Sequence, residues 1–267
     1  MHPILVKLGP VAVHTYGFMM ALGVALALWF LYVQAKKQGL DAPRLLDAAF
    51  YILIVSIIGA KLVLLFGNFG YYTSSPRELF SLARSGGVFQ GGLAFGVVFG
   101  FWYFWRKKIP AWKVADIIGP ALALGHGFGR IGCFMAGCCY GSACKLPWGV
   151  VFTNPYSHEL TGIPLGVERH PVQLYEAALN FLNFVVLFLI LRKKRFDGQV
   201  LAFYIMNYSI IRFITEYFRG DHPADKYLFQ GGSPLTSLSY PQVFCIVGLV
   251  AGFGLFLILK NRKRNVA

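Results

Sequence analysis

The sequence predicts an all-α, polytopic membrane protein with about seven transmembrane helices, its N-terminus outside and its C-terminus in the cytoplasm. Three observations predict this. Of 267 residues, 57% are hydrophobic and only 13% charged, with a mean hydropathy of +0.58, whereas about a quarter of a soluble domain is charged. The apolar residues gather into runs long enough to cross a bilayer, which takes about 20 residues of helix. Between the runs, basic residues fall in short clusters.

The runs lie at 16–33, 48–69, 88–105, 114–134, 171–191, 200–218 and 241–259. The first is not preceded by a charged start and has no small-residue cleavage site after it, so it is expected to be a permanent anchor rather than a signal peptide. The second carries Lys61. In the third, Gly92, Gly96 and Gly100 recur four apart, a spacing that lets helix backbones approach closely, and Phe101 to Trp105 form an aromatic belt at its end. The fourth holds Pro120, glycines at 119, 125, 127 and 129, His126 and Arg130. The fifth opens at Pro171, which suits a first helical turn. The sixth contains Arg212 and Glu216, and the seventh follows Tyr240. No internal repeat or low-complexity tract interrupts the series, so residues 1–267 read as a single integral membrane domain with external loops near 135–170 and 219–240.

Charge bias sets the orientation. Alternate connections hold Lys36, Lys37 and Arg44, then Arg106 to Lys113, Arg192 to Arg195 and Lys260 to Arg264, together fifteen of the 25 basic residues. The positive-inside rule puts these in the cytoplasm. The opposite set, which includes Lys7, Arg77, Arg84, Lys145, Arg169, Arg219 and Lys226, is spread over longer loops. A net charge of +14 therefore reports topology. It does not indicate nucleic acid, since no basic face is interleaved with stacking aromatics.

Three basic residues, Lys61, Arg130 and Arg212, remain inside runs, and the span directions put all three in the outer half of the bilayer. Intramembrane ionisable groups are costly and are functional candidates by default. Arg130 shares a helical face with His126 at i, i+4. The bland alternatives are an arginine snorkelling to the interface and a histidine satisfied by a backbone carbonyl. Arg212, Glu216 and Arg219 form one polar stripe at i, i+4 and i+7; it suits either mutual neutralisation or an anion held by Arg212 while Glu216 orients the guanidinium. Gln173 and Glu176 lie three apart at the start of the fifth run, and Tyr16 stands at the external start of the first.

Cysteines concentrate at Cys133, Cys138, Cys139 and Cys144. An external, oxidising position favours one or two disulfides. Four-thiolate zinc binding lacks the usual C-x2-C knuckles, and a thiol activated by Arg130 is the third reading. The expectation is that no metal is bound.

The segments GRIGCF at 129–134 with Gly141, HPVQLYE at 170–176, RFITEYFR at 212–219 and LSYPQ at 238–242 occur in this order over nearly the whole chain. Together they resemble the bacterial prolipoprotein diacylglyceryl transferases. The resemblance implies transfer of a diacylglyceryl group from phosphatidylglycerol to the lipobox cysteine thiol of a prolipoprotein, with a thioether formed and glycerol phosphate released. It places the protein in the bacterial inner membrane and requires no cofactor. It also implies functional roles for Arg130, Arg212, Glu216, Gly141 and Tyr16; Gln90 and Glu176 are further expected substrate-binding residues.

The sequence departs from the family pattern GRxGNFxNxExxG: Cys133, Ala136 and Cys138 stand in place of Asn, Asn and Glu. Gln90 stands where the family has a histidine often proposed as the base, and a glutamine amide cannot take a thiol proton. His126 is the replacement expected here. An anionic-lipid transporter or flippase, a family paralogue with another acceptor or donor, and a non-catalytic scaffold are the competing readings.

Overall fold

The computed structural model describes residues 2–9, 11–221, 227–229 and 237–266. Most of the expected 219–240 connection, with Lys226, lies outside the described residues. Ten helices and six short strands are defined among the described residues: β1 (Ile4–Leu8), β2 (Val11–His14), α1 (Thr15–Lys37), α2 (Ala42–Gly67), α3 (Phe69–Tyr72), α4 (Pro76–Arg84), α5 (Phe89–Arg106), α6 (Ala111–Ala136), β3 (Val150–Val151), α7 (Pro155–Thr161), β4 (Glu168–Arg169), α8 (Val172–Lys193), α9 (Gln199–Glu216), β5 (Tyr227–Phe229), β6 (Leu238–Ser239) and α10 (Tyr240–Val266). Helix dominates, as expected. The strands pair as three two-stranded antiparallel ribbons, β1–β2, β3–β4 and β5–β6. The stretch read as an external loop near 135–170 thus holds a ribbon and a helix.

Among the described residues, four helices, α1, α2, α8 and the 240–263 part of α10, are long and apolar enough to cross a membrane. Each of the seven apolar runs is helical over most of its length.

The chain divides into two compact units, one made of residues up to Phe30 and from Ala115 onward, the other of Leu31–Val114. In the second unit α2 and α5 pack along the glycine ladder. A Cβ added at Gly92 would lie 2.9 Å from the Ser56 carbonyl oxygen, and one at Gly100 would lie 3.2 Å from Ile52 Cδ1. The side chain that glycine lacks is therefore what permits the approach. Lys61 donates to the Leu82 carbonyl at 2.8 Å and also to the carbonyl of Ser85. It satisfies carbonyls at the end of α4, where a cation is favoured by unpaired helix-end groups.

In the first unit, α1 meets α6 where Gly23 faces Gly125; a Cβ on Gly23 would lie 3.0 Å from the Gly125 carbonyl oxygen. Gly127 makes room in the same way for the Phe181 ring of α8. Helices α8 and α9 share a hydrogen bond from Asn207 Nδ2 to Asn183 Oδ1 of 2.9 Å, and α9 packs on α10 at Gly248 and Gly252, against Ser209 and Met206.

The start of α9 is fixed by a residue of α6. Asp116, fully buried, accepts from the backbone N–H groups of Gly198 (2.9 Å), Val200 (2.8 Å) and Leu201 (3.1 Å), and from Lys194 Nζ (2.9 Å). The first N–H groups of a helix have no partner of their own and attract negative charge. One carboxylate thus ties α9 to α6 and sets where Arg212 falls relative to Arg130. Burial alone would lower the Lys194 ammonium, but its hydrogen bonds to Asp197 and Asp116 outweigh this and hold it above the ordinary lysine value.

Candidate active site

The charged stripes of α6, α8 and α9 converge on Glu176. Its carboxylate forms an ion pair with Arg130 Nε and another with Arg212 Nη1 at 3.4 Å, and accepts from Thr215 Oγ1 at 2.9 Å. Glu176 lies one turn into α8 and is buried. Left alone, a carboxylate there would be prohibitively costly; two guanidiniums and a hydroxyl compensate it. The consequence is geometric: one side chain brings together arginines from two helices.

Each guanidinium is also held from a second side. Arg130 Nε donates to His126 Nε2 at 3.1 Å, the i, i+4 partner read from the sequence. Arginine has no acceptor, so His126 accepts here through Nε2 and is the neutral tautomer protonated on Nδ1. The imidazole lies against Tyr208, with ring centroids 5.3 Å apart. Arg212 Nη2 pairs with Glu216 Oε2 at 2.7 Å, and Glu216 Oε1 accepts from Ser239 Oγ at 3.0 Å. Ser239 is itself fixed by Gln242, whose Oε1 accepts from the Ser239 N–H at 3.0 Å. The LSYPQ segment therefore buttresses Glu216 from the start of α10.

Among the described residues, Arg130 spends only Nε on the protein, and its two terminal nitrogens have no hydrogen-bond partner. Its side chain is 14% exposed and that of Arg212 13%, against 3% for Glu176 and 2% for Glu216. The carboxylates are thus sunk behind the guanidiniums, which present the accessible edge. Two planar donors in this arrangement suit bidentate binding of a phosphate.

Gly141 plays a backbone role beside this cluster. Segment 140–142 pairs with 218–220 through Ser142 N–H to the Phe218 carbonyl (2.8 Å) and Gly220 N–H to the Tyr140 carbonyl (3.0 Å). Arg169 Nη1 donates to the Gly141 carbonyl at 3.0 Å. A Cβ on Gly141 would overlap the His170 carbonyl oxygen, so the crossing of these segments requires glycine. Arg219 completes this corner through a double contact with Asp221, at 2.9 and 2.6 Å. Desolvation opposes its charge, and Asp221 more than restores it, so Arg219 is held above the ordinary arginine value.

Tyr16, near the start of α1, covers the last turns of α6: a Cβ on Gly132 would lie 3.3 Å from Tyr16 Cδ2. Gln90 belongs to the second unit, exposed on the first turn of α5. Sequence reading did not single out Asp116, Thr215 or Ser239. Asp116 had a signal, being an acid inside an apolar run. Thr215 and Ser239 lay inside the RFITEYFR and LSYPQ segments, but nothing local set their hydroxyls apart from others in the chain.

All five cysteines are free thiols. Hydrogen bonds with Cys133 and Cys138 hold the Cys139 thiol well below the ordinary range, and the charges of Arg219 and Arg130 act in the same direction.

A family model for prolipoprotein diacylglyceryl transferase matches residues 3–258. The chain belongs to the prolipoprotein diacylglyceryl transferase family. A phosphatidylglycerol–prolipoprotein diacylglyceryl transferase of Clostridium tetani is 32% identical over 265 residues, spanning 99% of this chain and 100% of the relative. The protein of the same name from Aliivibrio fischeri is 37% identical over 271 residues, spanning 99% and 91%. That of Clostridioides difficile is 30% identical over 250 residues, spanning 94% and 92%. The chain is thus a membrane-embedded transferase of lipoprotein biosynthesis.

Proposed function

We propose that the arginine–glutamate cluster binds the phosphate of phosphatidylglycerol and transfers its diacylglyceryl group to the lipobox cysteine of a prolipoprotein signal peptide. The observation that carries this reading is the pair of guanidiniums steered by Glu176 and Glu216 with the terminal nitrogens of Arg130 left over. The acceptor thiolate attacks the sp3 glycerol carbon that bears the phosphate oxygen. A C–S bond forms as the C–O bond breaks, and the electron pair leaves with glycerol phosphate. The phosphate goes from one negative charge to nearly two, and the two guanidiniums held by Glu176 and Glu216 stabilise that change.

The thiol proton goes to His126. Its Nε2 is engaged by Arg130 in the resting arrangement, so it becomes a base when the phosphate draws the guanidinium away. Glu176 then keeps Arg212 and the returning Arg130 in register. Tyr16 and Gly141 belong to the substrate-binding surface in this reading. Seven spans, the N-terminus outside and the C-terminus in the cytoplasm put the cluster in the outer half of the bacterial cytoplasmic membrane, where both lipid and signal peptide can enter laterally.

The test uses purified full-length protein, phosphatidylglycerol and a lipobox peptide. Mass spectrometry should find one diacylglyceryl group on the peptide cysteine, lost in Arg130→Ala and Arg212→Ala. Lipid translocation without adduct would replace this reading by transport, and activity indifferent to both arginines would remove the phosphate clamp.

A further inference from the structure

The cysteine cluster at the end of α6 is not used by the transfer chemistry. Cys133, Cys138 and Cys139 place their Sγ atoms within 4.8 Å of one another. We propose that these three thiols form a binding site for a thiophilic divalent cation, with Zn2+ as its representative.

Backbone conformation produces the convergence. Cys133 lies on the last turns of α6, and the helix ends with the Gly137 N–H donating to the Cys133 carbonyl at 2.9 Å and the Cys138 N–H to the same carbonyl at 3.2 Å. Gly137 takes φ +86° and Cys139 takes φ +57°. The second value is unusual, because a side chain in the left-handed region is strained. In extended chain, neighbouring side chains point to opposite faces. The left-handed turn at Cys139 instead aims two consecutive thiols at the third. Strain held in order to aim a side chain belongs to functional sites, and here its product is a three-sulfur face.

Distances and charge fit an ion. Zinc–thiolate bonds of about 2.3 Å set sulfur–sulfur separations of about 3.8 Å in a tetrahedron, so small side-chain rotations within the present spacing complete the site. Binding holds all three sulfurs as thiolates and releases their remaining protons to solvent. The complex with Zn2+ carries one net negative charge, and it forms beside cations: Arg130 is one turn from Cys133 on α6, and Arg219 lies in segment 218–220, which is bridged to 140–142. Three sulfurs leave the fourth tetrahedral position to water. Cys144 stands apart, with its N–H on the Glu168 carbonyl at 3.0 Å and its sulfur against Gly149. The bound ion staples the end of α6 to the turn that leads into Gly141. That gives the site a structural part in keeping segment 140–142 on 218–220.

The experiment uses full-length protein in detergent, reduced and then freed of reductant without air. After Zn2+ loading and removal of loose ion, elemental analysis should find one zinc per chain, and Co2+ loaded in its place should give thiolate-to-metal charge-transfer absorption. Cys133→Ser, Cys138→Ser and Cys139→Ser should each lose that absorption, while Cys144→Ser and Cys245→Ser keep it. A second measurement avoids mutation: zinc should protect Cys133, Cys138 and Cys139 of the unaltered protein from alkylation, and leave Cys144 unprotected. The proposal is overturned if the unaltered protein holds no more zinc than a variant with all three cysteines replaced, or if zinc leaves their alkylation unchanged. Neither readout depends on transferase activity, so their failure and that of the catalytic reading are distinct.

Discussion

Arg130→Lys separates two roles that the cluster assigns to one side chain. Lysine keeps the positive charge, so the ion pair with Glu176 survives in altered form. It loses the planar fork: no Nε–H remains to donate to His126 (3.1 Å in the native protein) while the cation pairs with Glu176, and no terminal pair remains for the phosphate. Folding stability should fall modestly, by about 1.5–3 kcal/mol for the lost charged hydrogen bond to His126. Catalysis should fall much further. Removing one preorganised donor from a developing oxyanion lowers kcat by about a hundred- to a thousandfold, equivalent to about 2.7–4 kcal/mol. The assay is the rate of diacylglyceryl transfer to a lipobox peptide at saturating phosphatidylglycerol, beside thermal unfolding of the same preparations. If Arg130→Lys keeps transfer within about tenfold of native, a gap of 1.4 kcal/mol, then the arginine only neutralises Glu176 and the phosphate clamp is wrong.

Glu176→Gln should destabilise the protein by about 3–5 kcal/mol, since it breaks a buried pair and leaves two guanidiniums without their shared carboxylate; thermal unfolding in detergent measures this, and an unchanged midpoint would contradict the bridging role. His126→Ala should abolish transfer at neutral pH with partial recovery at high pH, where the acceptor thiol of pKa about 8.5 ionises unaided; activity unchanged across the pH range would exclude it as the base. Asp116→Ala removes the cap of α9 and leaves Lys194 with Asp197 alone, for a loss of about 3–5 kcal/mol, read as a lower unfolding temperature. Gly141→Ala should reduce the yield of folded protein because its Cβ meets the His170 carbonyl, and folded protein recovered at native yield would show that the crossing of segments can relax.

The apolar runs, the glycine ladder at 92, 96 and 100, and the pairing of His126 with Arg130 were all legible in the sequence, for one reason. Each depends on residues close along the chain or on helical periodicity, and helix geometry converts such spacing directly into a shared face. The family motifs were legible as well, because each is a contiguous string. The convergence on Glu176 was not. Gln173 and Glu176 could be placed on one face of α8, but nothing local says that this face meets both Arg130 and Arg212. That meeting follows from Asp116 capping α9 from α6 and from glycines that let α1, α6 and α8 approach. Likewise the window of four cysteines suggested three chemistries by spacing alone. Only the left-handed turn at Cys139 selected three sulfurs and set Cys144 aside. Sequence by itself determined which segments are apolar helices and which residue types are chemically costly there. Tertiary structure decided which of those costly groups compensate one another, because charge pairing in a low-dielectric interior depends on distances across helices that no periodicity encodes.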